Sequence, residues 1–147
     1  MPSSGSERDL SEGIGGLRVV LDTSAYSHLR RGHRLVLDLM AAATVVLVPM
    51  TVLGELEAAF DLGSRGKENR AALERFLREP FVRDLALTRA VARRYGQVFA
   101  QLRRAGSPIP VNDIWIAAST LDCGGHLLTF DRHFRRIEHL DCTVIES

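Results

Sequence analysis

Short apolar runs alternate along the chain with longer amphipathic stretches. The runs are rich in β-branched and aliphatic residues and predict buried strands, whereas the stretches repeat apolar residues at helical spacing and predict helices. We predict strands at residues 18–22, 44–49, 81–86, 126–131 and 142–146. We predict helices at residues 24–31, 33–42, 51–62, 66–78 and 88–104, within 111–125 and within 131–137.

This alternation of strands and helices indicates an α/β fold. Successive strands that are separated by helices pair in parallel through right-handed crossovers. We therefore expect a three-layer α/β/α sandwich with a parallel sheet of about five strands. In such folds, functional residues lie at the carboxyl ends of the strands.

Length and composition predict a single domain. The chain has 147 residues, of which 46% are apolar and 25% are charged, as is ordinary for one globular domain. Neither a repeat nor a linker rich in Pro and Gly divides the sequence after residue 16. Because Ser, Gly and charged residues dominate residues 1–16, we predict a flexible N-terminal extension there and a folded domain over residues 17–147.

The cysteines and the hydropathy predict a cytoplasmic protein. Cys123 and Cys142 lack the spacing of metal ligands, and we expect two free thiols in a reducing compartment rather than a disulfide. The sequence contains no run of about 18 apolar residues that would span a membrane. Its N-terminal residues also lack the basic and then apolar pattern of an export signal.

Arginine supplies nearly all of the positive charge. The net charge is +1, and Lys67 is the only lysine among 19 basic residues. The planar guanidinium suits phosphate recognition, but a genome rich in G and C also favours arginine codons without functional meaning. The sequence leaves both explanations open.

Four carboxylates are predicted at one edge of the sheet. Asp22 ends the first strand, Asp131 ends the fourth, Asp113 lies in the first turn of a helix, and Glu55 lies in the helix after the second strand. Taken singly, each aspartate is explained as a helix cap and Glu55 as a solvent-exposed residue. Together their charges repel, and a hard divalent cation such as Mg²⁺ or Mn²⁺ would relieve that repulsion.

The other residues indicate that such a metal would supply the chemistry. The sequence has no recognisable Ser-His-Asp arrangement, reactive cysteine with a base, or P-loop, and the GIGG segment at 13–16 precedes a strand instead of following one. A carboxylate-held ion can lower the pKa of a bound water and neutralise charge on a phosphodiester, while one of the acids takes a proton. Nearby arginines would hold the phosphates.

Four segments resemble those of a known family. They are VVLDTSAY at 19–26, TVLGELEAAF at 51–60, IPVNDIWIAAS at 109–119 and LLTFDRHF at 127–134. In order and spacing they are similar to the motifs of PIN-domain nucleases, and most closely to the VapC-type toxins of type II toxin-antitoxin systems. The resemblance covers about residues 18–146.

The resemblance implies a PIN-like α/β/α domain that acts as an endoribonuclease dependent on Mg²⁺ or Mn²⁺. By the family pattern, Asp22, Glu55 and Asp113 correspond to the three core acidic residues. Asp131 corresponds to the fourth and more variable acid, and Ser24 to a hydroxyl that supports the metal site. All four acids would then be catalytic residues and metal ligands.

The resemblance also implies partners. Members of this family are usually dimers and are inhibited by a small VapB-like antitoxin, which itself binds DNA, so the toxin meets DNA only indirectly. Their substrates are structured RNAs, frequently tRNA or ribosomal RNA. We expect Arg30, Arg31 and Arg132 to contact the RNA.

Two other functions within the same family fit the motifs. They are a housekeeping PIN-domain nuclease of RNA processing and a non-catalytic PIN-fold binding protein. A haloacid-dehalogenase-type phosphatase is disfavoured because Ser24 stands where its second acid is needed, and Lys67 is poorly placed to serve as its lysine. A receiver domain is disfavoured because it needs a lysine near the end of a later strand.

Several polar and aromatic residues near these motifs have simpler explanations. We expect Trp115 to pack in the interior rather than stack on a base, and His133 to be a surface residue rather than a proton relay. Glu57 and Asp61 are expected to face solvent. Asn112 is equally consistent with a helix cap and with a ligand for water or metal.

Overall fold

The computed structural model of the protein describes residues 16–146, so the predicted extension lies, apart from Gly16, outside the described residues. The strands are Arg18–Leu21 (β1), Val45–Pro49 (β2), Val82–Leu85 (β3), His126–Thr129 (β4) and Cys142–Val144 (β5). The α-helices are Thr23–Arg30 (α1), Arg34–Ala41 (α2), Met50–Leu62 (α3), Gly66–Leu77 (α4), Arg89–Arg104 (α5) and Val111–Cys123 (α6). A 3-10 helix spans Arg132–Arg136.

The five strands form one parallel sheet in the order β3-β2-β1-β4-β5. The chain therefore runs outward from β1 to β3 and then returns to place β4 on the other side of β1. This reversal makes a crevice at the carboxyl ends of β1 and β4, where ligands bind in open α/β sheets. The predicted α/β fold with a parallel sheet of about five strands is confirmed.

Both faces of the sheet are buried, as the apolar runs predict. Val19, Val20 and Leu21 follow one another in β1 and are each at most 1% exposed. Because successive strand residues point to opposite faces, helices must cover both sides of the sheet. Burial of each such side chain contributes roughly 1.5–3 kcal/mol, which fixes the backbone that leads into the crevice.

The start of α6 differs from the expectation that Asn112 or Asp113 would cap it. Helix α6 begins at Val111 after Pro110, and the carbonyl of Pro110 accepts a hydrogen bond from the amide of Asp113 at 3.0 Å. The side chains of Asn112 and Asp113 thus stand in the first turn and are available for other contacts. The helix ends at Cys123 and is followed by the cap residue Gly124, whose φ of 65° suits glycine.

Cys123 and Cys142 are both free thiols in the structure. Over residues 16–146, none of the helices has the length and apolar character needed to cross a membrane.

Glu57 and Asp61 lie on the exposed face of α3, as predicted, and both pair with Arg70 of α4. The Arg70 guanidinium lies 2.8 Å from Glu57 and 2.9 Å from Asp61. Their side chains are 45% and 77% exposed, so solvent screens both ion pairs, which contribute little to stability.

Candidate active site

Asp22 lies at the carboxyl end of β1 and is held by three hydrogen bonds. Its carboxylate accepts from the Thr129 hydroxyl at 2.5 Å, the Ser24 hydroxyl at 2.7 Å and the Ala25 amide at 2.8 Å. The last bond caps α1, so Asp22 does serve as a helix cap. The side chain is 5% exposed, and no cationic side chain among residues 16–146 pairs with it, which is unusual for a buried aspartate.

Two hydroxyls connect Asp22 to the segment after β4. The Thr129 hydroxyl donates to Asp22 and accepts from the amide of Asp131 at 3.0 Å. The Ser24 hydroxyl donates to Asp22 and accepts from the amide of Phe130 at 3.1 Å. The structure therefore places the Ser24 hydroxyl between Asp22 and the backbone that follows β4. Thr129 makes the equivalent pair of bonds, which sequence reasoning missed although this residue lies only two positions before Asp131.

Asp113, Asp131 and His133 form a compact cluster at the same edge. One ligand atom from each residue lies within 4.8 Å of the others. The Nδ1 atom of His133 is 3.1 Å from Asp131 Oδ1 and 3.4 Å from Asp113 Oδ2. Asp131 also caps the 3-10 helix by accepting the amide of His133 at 2.9 Å.

The side chain of His133 is 37% exposed, as a surface residue would be, but its imidazole also contacts the two aspartates. The 3-10 helix that begins after Asp131 turns the imidazole back toward Asp131 and across to Asp113 of α6. The only sequence signal was the position of His133 two residues after a strand-end aspartate, and that spacing alone does not reveal the turn.

Glu55 lies beside this cluster rather than in it. Its carboxylate accepts from the Thr23 hydroxyl at 2.5 Å and from the Asn112 amide at 3.1 Å. Thr23 and Asn112 directly precede Ser24 and Asp113 in the chain, so the two bonds join α3 to the starts of α1 and α6. Of the two roles left open for Asn112, the structure excludes the helix cap, because its side-chain amide donates to Glu55 instead.

Burial and the repulsion of neighbouring carboxylates raise the pKa of Asp22 and the pKa of Asp113. Burial raises the pKa of Asp22 above its ordinary value, its hydrogen bonds to Thr129, Ala25 and Ser24 oppose that rise, and the charge of Asp131 adds to it. Burial also raises the pKa of Asp113, where the nearby His133 lowers it and the charges of Asp131 and Asp22 raise it. The three aspartates therefore interact electrostatically, as is common among the charged groups of functional sites.

The donor chemistry fits a hard divalent cation. Asp22, Asp113 and Asp131 supply carboxylate oxygens, which Mg²⁺ and Mn²⁺ prefer. A cation at this position would stabilise the ionised forms that burial and repulsion disfavour in Asp22 and Asp113.

The predicted RNA-contacting arginines lie at different distances from the cluster. Arg132 directly follows Asp131, is exposed, and lines a small pocket with Phe130 and Ile145. Arg30 and Arg31 are at the far end of α1, whose eight residues separate them from Asp22 by about 12 Å.

Trp115 packs as predicted. Its ring stacks on Tyr95 of α5 with centroids 4.1 Å apart. This contact lies between α5 and α6, which pack against each other.

A sequence profile of the PIN domain family matches residues 19–140. The chain therefore belongs to the PIN domain family. No curated protein sequence matches it.

Solved structures of toxin-antitoxin proteins share the fold. The DNA-bound VapBC of Salmonella typhimurium superposes with a TM-score of 0.77 at 23% identity, over 86% of this chain and 97% of that chain. VapBC2 of Rickettsia felis, solved with a fragment of promoter DNA, gives 0.76 at 22% identity, over 86% and 98%. VapC20 of Mycobacterium tuberculosis, described as a sarcin-ricin loop cleaving toxin, gives 0.63 at 22% identity, over 88% and 99%.

Proposed function

We propose that the protein is a metal-dependent endoribonuclease and the toxic component of a type II toxin-antitoxin system. The observation that carries this proposal is the convergence of Asp22, Asp113 and Asp131 at the crevice of the sheet, with the pKa of Asp22 and of Asp113 raised. Three interacting carboxylates beside the imidazole of His133 suit metal-assisted phosphodiester hydrolysis. Membership of the PIN domain family supports the same class.

Asp22, Asp113 and Asp131 would hold Mg²⁺ or Mn²⁺, with Glu55 completing the acidic site. When bound, the ion would lower the pKa of a water and neutralise charge that develops on the phosphodiester. Thr129, Ser24 and the Ala25 amide fix the orientation of Asp22 through the three bonds described above.

Glu55 would act on the attacking water, and the arginines would bind phosphates of the RNA. Because Thr23 and Asn112 hold Glu55 beside the aspartates, we assign to it the acceptance of a proton from the attacking water. Arg132, exposed and adjacent to Asp131, would hold a phosphate near the scissile bond. Arg30 and Arg31 would contact the backbone farther along the RNA.

The proposed partners follow from the structural relatives. VapBC proteins are toxin-antitoxin pairs, and two of the relatives were solved with DNA. We propose a VapB-like antitoxin for this chain, contact with DNA only through that antitoxin, a homodimer, and a cytoplasmic location. A structured RNA, either tRNA or ribosomal RNA, is the proposed substrate, and VapC20 gives one precedent in its description.

Cleavage of a structured RNA by the purified chain tests the enzymatic part. We expect cleavage with Mg²⁺ or Mn²⁺, products with a 5′-phosphate, and no cleavage in excess chelator. Mapping of the 5′ ends by a phosphate-dependent ligation separates these products from those of a contaminating metal-independent ribonuclease. Cleavage that persists in chelator would rule out the proposed chemistry.

Expression in a bacterial host tests the toxin assignment. We expect growth arrest that is relieved when the small gene immediately upstream is expressed together with this chain. The Asp113→Asn variant should cause no arrest at the same expression level. Metal-dependent cleavage without arrest, and without such a neighbouring gene, would instead indicate a housekeeping nuclease.

Replacement of Thr23 by valine should weaken cleavage through Glu55. The change removes the hydroxyl that donates to Glu55 at 2.5 Å and leaves the amide of Asn112 as its remaining described partner. We expect kcat to fall by about tenfold or more, as for loss of one preorganised donor at an active site. Thr23→Ser keeps the hydroxyl and should retain most of the activity, so equal losses in the two variants would show that this bond is unimportant.

A further inference from the structure

His133 introduces a nitrogen donor into a cluster that otherwise offers carboxylate oxygens. Its Nδ1 atom faces Asp131 at 3.1 Å and Asp113 at 3.4 Å, and one atom from each of the three residues lies within 4.8 Å of the others. Two elements build this arrangement, because α6 carries Asp113 and the 3-10 helix with its cap carries the other two residues.

These separations are close to those of neighbouring ligands around one ion. An octahedral ion with ligand bonds of about 2.1 Å keeps adjacent donor atoms roughly 3 Å apart. The imidazole nitrogen and the carboxylate oxygens therefore need only small movements to share a cation.

The chemistry of the donor atoms determines which ions bind more tightly because of His133. Mg²⁺ prefers oxygen ligands and gains little from an imidazole, whereas first-row transition metals bind imidazole nitrogen well. Mn²⁺ accepts carboxylate, water and imidazole, and so benefits from every residue of the cluster.

We propose that Nδ1 of His133 is a ligand of the divalent ion and that it makes the site prefer Mn²⁺ to Mg²⁺. This inference rests on the proposed metal-dependent function and adds to it the identity of the preferred ion. His133 thereby becomes a residue that determines metal specificity.

Pulsed electron paramagnetic resonance of the full chain loaded with Mn²⁺ tests the ligand directly. We expect a nitrogen hyperfine coupling in the wild-type protein that disappears in His133→Asn, whose amide oxygen takes approximately the position of Nδ1. The matched control is His139→Asn, because His139 is exposed and has a φ of 66°, which asparagine tolerates. The control should retain the coupling.

Calorimetric titration with each ion measures the preference. Loss of an outer partner of a metal ligand already lowers affinity by about 10–100-fold, so loss of the nitrogen should lower Mn²⁺ affinity by at least about tenfold. Mg²⁺ affinity should change much less, and the ratio of the two dissociation constants should therefore move toward one in His133→Asn.

The outcomes separate this inference from the proposed function. Mn²⁺ that binds the wild-type chain without a nitrogen coupling would overturn the role of His133 and leave metal-dependent cleavage standing. Failure of the chain to bind either ion, together with absence of cleavage, would overturn the proposed function itself. Because the first result needs only the wild-type protein, the test does not depend on how well a variant folds.

Discussion

Asp22→Asn is expected to abolish RNA cleavage while the protein stays folded. The amide is nearly the same size as the carboxylate and can still accept from the Ala25 amide, but it removes the charge that would hold the ion. Metal ions contribute several kcal/mol of transition-state stabilisation, so we expect cleavage to fall by at least about a thousandfold. Single-turnover cleavage at saturating Mg²⁺ gives the measurement.

Thermal unfolding in excess chelator is the companion measurement for Asp22→Asn. Burial raises the pKa of Asp22, so the folded state binds this proton more tightly than the unfolded state. Its contribution to stability therefore falls as pH rises from the ordinary pKa through the raised value, and at neutral pH the ionised group destabilises the fold. The neutral amide avoids this cost, and we expect an unchanged or higher Tm at pH 7.

Asp38→Asn is the matched control for this variant, because Asp38 is exposed on α2. It should leave both cleavage and Tm unchanged. A large fall in the Tm of Asp22→Asn, with lost activity explained by unfolding, would mean that the carboxylate of Asp22 supports the fold rather than the chemistry.

Thr129→Val should have the largest effect on stability among the residues of the site. Valine has the same shape, so the change deletes only a hydroxyl that is fully buried, donates to Asp22 and accepts from the Asp131 amide. Loss of a hydrogen bond to a buried charge costs about 1.5–3 kcal/mol. We expect the free energy of unfolding to fall by about 2 kcal/mol at pH 7 in chelator, as measured by urea denaturation.

A double-mutant cycle with Asp22→Asn isolates the bond between Thr129 and Asp22. If the charge of Asp22 causes the loss of stability, Thr129→Val should lower the free energy of unfolding by at least about 1 kcal/mol less in the Asp22→Asn background than in the wild type. Thr129→Ser keeps the hydroxyl and should preserve the coupling. An equal cost in both backgrounds would show that Thr129 acts only through the amide of Asp131.

Sequence patterns predicted the elements because strands and helices depend on local periodicity. Every predicted element is present, with ends that differ from the prediction by two residues at most. The convergence of Asp22 and Asp131 followed from the same reasoning, since both residues end neighbouring parallel strands. The position of Asp113 at the same edge of the sheet was predictable because its helix begins there.

The contacts that sequence patterns did not predict depend on how segments that are distant in the sequence pack against one another. Thr129 meets Asp22 across 107 positions of sequence, and nothing in the neighbourhood of either residue indicates which hydroxyl will donate. His133 joins the cluster because a 3-10 helix, which has three residues per turn, follows Asp131 and reverses the direction of the side chain. Glu55 was predicted at the correct edge, but its attachment to Thr23 and Asn112 required the packing of three helices.

Anomalous diffraction from crystals grown with Mn²⁺ tests the central claim most directly. We expect an anomalous difference peak at the carboxyl ends of β1 and β4, about 2.1–2.2 Å from carboxylate oxygens of Asp113 and Asp131, and loss of that peak in Asp113→Asn. A map without a peak among these aspartates, from crystals of a protein that cleaves RNA in the same Mn²⁺ concentration, would contradict it.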